Sequence, residues 1–555
     1  MKSNDKEMMA NVEEAVDMVR GAQHPDGYLN SYYTVRGIDK RWTNLRDMHE
    51  MYCLGHLTEA CVAYETLTGS GRLLEPVMKA IRHVDSIFGS EPGKKRGYPG
   101  HEEIEIGLLR LYELTGEPLL LKLAKYFIFE RGQRDENGET FYDHEARARG
   151  ADPYDHMGSE MKHCYLHPRD YGYQQADCPI LEAKEVKGHS VRAMYYYTAA
   201  ADLARLTDDK KLKEALDRLW RNMVDKKIYI TGGLGSIRQW EGFGPEYLLG
   251  DSNEDGTCYA ETCASFALII WCQRMLRLSL NVEYADVMEV ALYNAVLGAV
   301  SLDGGAFYYE NPLRTYTGHQ KERSKWFEVA CCPPNVAKLF GLMGGLIYSS
   351  KKDVVAVHLY IESTFTVPGT DVVVSQKTSM PWSGEVEITV KGKTGLALRI
   401  PGWASSHECS VEGELKDGYL HLPPSEDTVV KLKLPLEARK FYANPKTGKD
   451  EIAIMRGPLV YCIEDVDNDV DVDDIALVDV SIKEAEPVSI AGVENVIPIM
   501  ASGKELVQDT SSALYTSKPW NYSEGTKQLK FIPFFLRANR GGNGGMRVWN
   551  KRLQG

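Results

Sequence analysis

EEIEIGLLRLYELTG (102–116) spaces its apolar residues three and four positions apart and stops on Leu-Thr-Gly. A second amphipathic run, PLLLKLAKYFI (118–128), follows almost at once. That spacing gathers apolar side chains on one helix face, so the stretch predicts a helical hairpin. The same kind of ending recurs as ETLTG (65–69) and ARLTD (204–208). The latter closes SVRAMYYYTAAADLARLT (190–207), read as amphipathic, and precedes KKLKEALDRLW (210–220). The first two endings lie about 47 residues apart and the third follows after roughly twice that interval. A helix pair at this period predicts a stack or closed ring of hairpins over residues 1–348.

Past residue 350 the pattern changes. VVAVHLYIESTFTV, GEVEITVKG, GLALRIPGW, TVVKLKL and EIAIMRGPLVYCI are short, β-branched and bounded by Gly, Pro and Asp. They predict strands of one or two β-sandwiches, divided here as 349–445 and 446–555. The acidic run EDVDNDVDVDD (464–474) reads as a solvated loop or a boundary. It lacks the glycine and terminal glutamate of a calcium-binding EF-hand loop.

With 555 residues the chain has room for two to four domains. A net charge of -14 argues against nucleic acid, whose phosphates need a basic surface. No run of about 18 apolar residues occurs to cross a membrane, and MKSNDKEMMANVEEAVDMVRGAQ lacks the apolar core of a signal peptide. Eleven irregularly spaced cysteines point to a reducing compartment rather than a disulfide framework. A cytoplasmic location is the expectation.

Chemistry concentrates in two short clusters. YAETCAS carries Glu261 and Cys263, and CCPPN carries Cys331 and Cys332. One carboxylate and three thiols make the ligand count of a closed zinc site; buried structural cysteines are the competing reading. Pro333 biases Cys332 towards extended backbone, and Asn335 is placed to cap the helix NVAKLFGLMGGLIY. Glu261 and Cys263 flank Thr262, so in extended backbone they share a face. His56, His101 and His189 each stand at or near a helix start, where a ring of hairpins converges them on a pocket; each also suits a capping or core role. ITGGLGS (230–236) reads as a turn, because no Gly-Lys-Ser/Thr follows. Glu241, between Trp240 and Phe243, sits in an apolar setting suited to a general acid, with Glu246 its nearest rival.

Taken in order, RWTNLRDMHEMYCLGH, YPGHEEIE, VKGHSVRA, ITGGLGS, YAETCAS, WFEVACCPPN, RGPLVY and IPFFLRANRGGNGGMRVW resemble glycoside hydrolase family 127, the β-L-arabinofuranosidase family. The resemblance spans roughly residues 20–555. It implies an (α/α)6 catalytic barrel followed by β-sandwich domains. The chain starts close to QHPDGYLNSYY, where family members carry further helical sequence, so part of the N-terminal barrel wall is expected to be missing. The family further implies zinc held by Glu261, Cys263, Cys331 and Cys332, with Cys331 as nucleophile. WEGF takes the place of the family's GEAF-like motif, which makes Glu241 the acid/base. His56, His101, His189, Glu289 and Tyr309 are the implied substrate contacts. The implied reaction is retaining release of a terminal L-arabinofuranose-like sugar. Alternatives are a related glycosidase for another unusual sugar, an epimerase, a zinc prenyltransferase, or a carbohydrate-binding protein without activity. A homodimer is a candidate assembly; neither nucleic acid nor membrane is an expected partner.

Overall fold

The computed structural model describes residues 5–151, 171–319, 321–478, 482–507, 514–542 and 544–553. The chain forms two compact units, one of Met1–Lys226 with Gln239–Phe243, the other of Lys227–Arg238 with Gly244–Gly555.

In the first unit the repeated endings are helix stops. Helices Glu50–Thr68, Ile104–Thr115 and Ser190–Thr207 end on Gly69, Gly116 and Asp208, each left-handed at φ 60°, 70° and 52°. In each case the N–H of that residue bonds a carbonyl four residues back, satisfying one orphan acceptor of the helix end. Each stop leads into a second helix, Leu74–Ile87, Pro118–Glu130 or Lys210–Lys226. Glycine permits the tight crossing of the first two principal helices: a Cβ on Gly55 would lie 2.6 Å from the Ile104 nitrogen, and one on Gly107 2.8 Å from the Gly55 carbonyl. The Ser190–Thr207 helix is not amphipathic as read. Every residue from Ser190 to Ala204 is buried, the environment of a helix surrounded by protein. Its polar members are accommodated locally, Arg192 by the Gly100 carbonyl at 2.8 Å and the face of Tyr173.

The second unit begins with helices. Thr262–Leu278 precedes Val282–Val290, which runs on through a π segment, Ala291–Val296, and Cys332–Ile347 leads into strand Tyr348–Lys351. Two five-stranded sheets take up the strands between Tyr348 and Lys433. Alternation is clean in Glu385–Lys391, whose valines and isoleucine are buried between exposed or half-buried neighbours. A ten-stranded sheet recruits Arg314–Thr315 and holds the strands from Ala438 onward, except Val488–Ile490 and Val493–Val496, which pair separately. Its strands Glu451–Arg456 and Leu459–Glu464 are buried at every position. Strand Ala438–Tyr442 pairs with Glu451–Arg456, so this sheet begins before residue 445.

The acidic run is not a solvated loop. Asp465–Asn468 forms a helical turn, Val472 is fully buried, and Asp467 and Glu464 pair with Arg540 while Asp467 also binds Lys530. Cations more than sixty residues away in sequence neutralise it, a partnership that local composition does not disclose.

Candidate active site

Two groups of candidate residues form, one in each unit. In the second unit the ligand atoms of Glu261, Cys263, Cys331 and Cys332 all lie within 4.8 Å of one another. Cys332 Sγ is 3.3 Å from Cys263 Sγ and 3.7 Å from Cys331 Sγ, and Cys331 Sγ is 3.4 Å from Glu261 Oε1. Glu261, Cys263 and Cys332 are buried, and Cys331 is half-buried. All four cluster at the first residues of two helices. Glu261 is the residue before Thr262–Leu278, and Cys331 the residue before Cys332–Ile347. Helix N-termini carry partial positive charge, which favours carboxylate and thiolate there.

The local backbone differs from the sequence expectation. Cys332 is helical despite preceding Pro333, and Cys331 takes helical angles, φ -101° and ψ -38°. Asn335 is therefore inside the helix, its N–H already bonded to the Cys331 carbonyl, rather than capping it. The two prolines fall in the first turn, where a missing N–H leaves no hydrogen bond unmade, and this outweighs the bias on the preceding residue. Likewise Glu261 is extended but Thr262 and Cys263 already belong to a helix, so a helix start, not a strand face, brings the pair together.

Tyr309 completes the group, its OH 3.2 Å from Cys331 Sγ. It is positioned by backbone pairing: the Thr262 N–H donates to the Tyr309 carbonyl at 2.9 Å. Asn311 locks the same junction. Its side-chain amide donates to the Ala260 carbonyl and to Thr262 Oγ1 at 3.1 and 2.9 Å, and its carbonyl accepts from Arg537 at 2.9 Å. Ala260 needs that support, for it is a buried non-glycine at φ 46°. The family resemblance implied Tyr309 but not this asparagine, whose partners lie far off in the chain.

The cluster has the donors of a four-ligand metal site. A tetrahedral ion with metal–sulfur bonds of about 2.3 Å sets its sulfurs roughly 3.8 Å apart, close to the separations here. Within the cluster, hydrogen bonds from Cys263, Cys332 and Tyr309 pull the Cys331 thiol down to about 3, while burial pushes Cys263 and Cys332 well up.

In the first unit His101 lies among aromatic and imidazole rings, with centroids 4.4 Å from Tyr52, 5.7 Å from His49, 5.7 Å from His189 and 5.9 Å from Tyr195. Tyr52 in turn packs edge-on to His56 at 4.5 Å. His189 caps its helix: Nδ1 accepts from the Val191 and Arg192 amides at 3.2 and 3.5 Å. The ring proton must then lie on Nε2, which donates to Glu241 Oε2 at 3.2 Å. Glu241 itself is left-handed at φ 52°, and its carbonyl accepts from the Ser190 N–H and Oγ at 3.1 and 2.8 Å. Gly242 is required next to it, because a Cβ there would sit 2.2 Å from the Gly188 carbonyl. His56 is not at a helix start but seven residues into Glu50–Thr68; its Nδ1 faces buried Glu103 Oε1 at 2.8 Å. His49 and Tyr52 join the group without having been singled out from sequence.

Glu289, in the second unit, is held otherwise. It is buried, with Oε1 on Arg399 at 2.5 Å and Oε2 accepting from the Trp403 indole at 2.8 Å. Both oxygens serve a buried pairing with residues of the strand-rich segment, Arg399 and Trp403, rather than the cysteine cluster. ITGGLGS is a turn as expected, and Gly232 has to be glycine because a Cβ would meet Ala291 Cα at 2.5 Å.

Three family models match the chain. The β-L-arabinofuranosidase, glycoside hydrolase family 127 catalytic domain covers residues 1–344, the middle domain of the same family 354–436, and its C-terminal domain 438–551. A non-reducing end β-L-arabinofuranosidase of Bifidobacterium longum subsp. longum is 34% identical over 586 aligned positions, covering 99% of this chain and 86% of that protein. Among solved structures, a family 127 β-L-arabinofuranosidase from Geobacillus stearothermophilus T6 aligns with a TM-score of 0.90 and 37% identity, covering 100% of this chain and 88% of that one. Another family 127 β-arabinofuranosidase aligns at 0.83 with 30% identity over 99% and 86% of the two chains.

Proposed function

The chain belongs to glycoside hydrolase family 127 and is a glycosidase, and from that premise we propose that it releases L-arabinofuranose from the non-reducing end of β-L-arabinofuranosides with retention of configuration. Cys331 is the nucleophile in this reading and Glu241 the acid/base. The observation that carries it is the placement of Cys331 Sγ among Glu261, Cys263, Cys332 and the Tyr309 hydroxyl, which favours a thiolate at that atom.

Glu261, Cys263, Cys331 and Cys332 would hold zinc, which supplies charge neutralisation to the thiolates and keeps them unprotonated at neutral pH. Retention requires two displacements on the same carbon. In the first, the Cys331 thiolate forms a bond to the anomeric carbon as the glycosidic C–O bond breaks, and Glu241 gives its proton to the departing oxygen. In the second, Glu241 takes a proton from water, the water oxygen bonds the anomeric carbon, and the thiolate leaves. His189 holds Glu241 through its Nε2–H, and the Tyr309 hydroxyl steadies the departing thiolate through its hydrogen bond to Cys331. His56 and His101 serve as hydrogen-bonding groups for sugar hydroxyls. Glu289 supports the surrounding fold through Arg399 and Trp403.

A panel of aryl glycosides that includes β-L-arabinofuranoside, assayed with and without a zinc chelator, tests the reading. Turnover of the β-L-arabinofuranoside, lost on chelation, is expected. Hydrolysis of none of the panel by zinc-loaded protein contradicts it.

A further inference from the structure

One asparagine holds both neighbours of Glu261. The Asn311 N–H and its side-chain amide each donate to the Ala260 carbonyl at 3.1 Å, and the amide also donates to Thr262 Oγ1 at 2.9 Å. Thr262 passes the constraint on. Its N–H donates to the Tyr309 carbonyl at 2.9 Å and its hydroxyl to the Tyr308 carbonyl at 2.7 Å. These bonds fix a junction that would not hold its shape alone, because Ala260 is buried, left-handed and not glycine.

Arg537 decides which way the Asn311 amide faces. Its Nη2 donates to Asn311 Oδ1 at 2.9 Å, which leaves the NH2 for the Ala260 carbonyl, an acceptor that an oxygen could not serve. The arginine stands 226 residues further along the chain, at the end of the turn Phe534–Leu536 behind strand Lys527–Pro533. It is buried and closely fitted. Its guanidinium carbon lies 3.8 Å from the centre of the Phe534 ring and 5.3 Å from that of Tyr308. Arg323 donates to its main-chain carbonyl at 3.2 Å. Gly298 makes room for it, since a Cβ there would fall 2.4 Å from Nη1. Burying a guanidinium is costly, and an apolar side chain would fill the space beside two rings without that cost. What the arginine adds is the donor at Asn311.

We propose that Asn311 and Arg537 are positioning residues of the metal centre, fixing Glu261 against the three cysteines and Tyr309 against Cys331, and so setting zinc affinity and the reactivity of the thiolate. The proposal rests on the zinc reading above. It gives the last strands of the chain a part in the chemistry, through a single guanidinium.

The test uses zinc-loaded full-length protein, as wild type, Asn311→Asp and Arg537→Lys. Asn311→Asp keeps an oxygen for Arg537 but turns a second one on the Ala260 carbonyl. Arg537→Lys keeps the charge and loses the planar fork. Arg456→Met, which breaks a pairing with Glu484 in the ten-stranded sheet, controls for lost stability alone. Competition with a chromophoric chelator gives zinc affinity, the absorption of cobalt-substituted protein reports ligand geometry, and melts of the metal-free proteins report folding. Partners one layer behind a metal's ligands are typically worth about 10- to 100-fold in affinity or activity. Zinc binding should weaken by about that range in Asn311→Asp and about tenfold in Arg537→Lys, with shifted cobalt bands and a lower kcat at little-changed KM. Arg456→Met should melt lower yet bind both metals as wild type does. Wild-type affinity and spectrum in whichever variant folds overturn the proposal. So does an equal loss in Arg456→Met, or failure of both variants to fold without metal, since the pair would then serve the fold alone. Wild type that takes up neither zinc nor cobalt contradicts the metal reading itself, a result distinct from variants that bind as wild type does.

Discussion

In the second unit four groups that can each carry negative charge, Glu261, Cys263, Cys331 and Cys332, are packed within 4.8 Å. In the first unit imidazoles gather near a cation: burial and then Arg192 push His101 well below its ordinary value, and the same two causes bring His49 to about 4. The contrast bears on the proposed division of labour. Crowded anion-formers call for a counter-cation and create a nucleophile once they have it. The arginine charge opposes a cation there, and the neutral imidazoles beside it are suited to hydrogen-bonding uncharged hydroxyls. Glu241 belongs to this second environment, anchored by an imidazole whose tautomer the helix cap dictates.

If that division is right, damage to the cysteine side should be absolute and damage to the histidine side graded. Cys331→Ser should lower kcat by roughly 10⁴-fold or more with an unchanged melting profile; retained turnover would erase the distinction. Cys263→Ala should reduce bound zinc from about one per chain to near none, read by native mass spectrometry, with activity falling in parallel. Glu241→Gln should cost on the order of 10²–10⁴-fold, most for poor leaving groups. Glu246→Gln should stay near wild type; the reverse order would reassign the acid/base.

Much of this was legible in the sequence because it is local. The LTG and LTD endings work through one left-handed residue each, and the pair Ile104–Thr115 and Pro118–Glu130 follows from its periodicity. CCPPN and YAETCAS announced their donors by residue type. What stayed hidden depends on distant partners. Asn311 acts through Ala260 and Arg537, the acidic run through Arg540 and Lys530, and Glu289 through Arg399 and Trp403. The helical state of Cys332 was missed for another reason: a pairwise bias before proline was weighed without the helix start that overrides it.

A smaller effect separates the folding of the first unit from its chemistry. Glu50 is buried, accepting from Tyr28 at 2.5 Å and the Trp42 N–H at 3.0 Å, and burial pushes its carboxyl up to about 7 from an ordinary 4.5. The folded protein keeps a proton that the unfolded chain gives up between those values. This contribution to stability is therefore whole below about pH 4.5 and is lost as pH rises through about 7, up to about 3 kcal/mol in all. Glu50→Gln should gain on wild type in thermal melts between pH 5 and pH 8, with little change in kcat.

The central claim is that a thiolate, not a carboxylate, attacks the sugar. Acid-quenching the enzyme during turnover of a slow β-L-arabinofuranoside and mapping its peptides by mass spectrometry tests this directly. A pentosyl adduct on Cys331 is the predicted result. An adduct on Glu241, Glu261 or another carboxylate, or no adduct together with a product of inverted configuration, would contradict it.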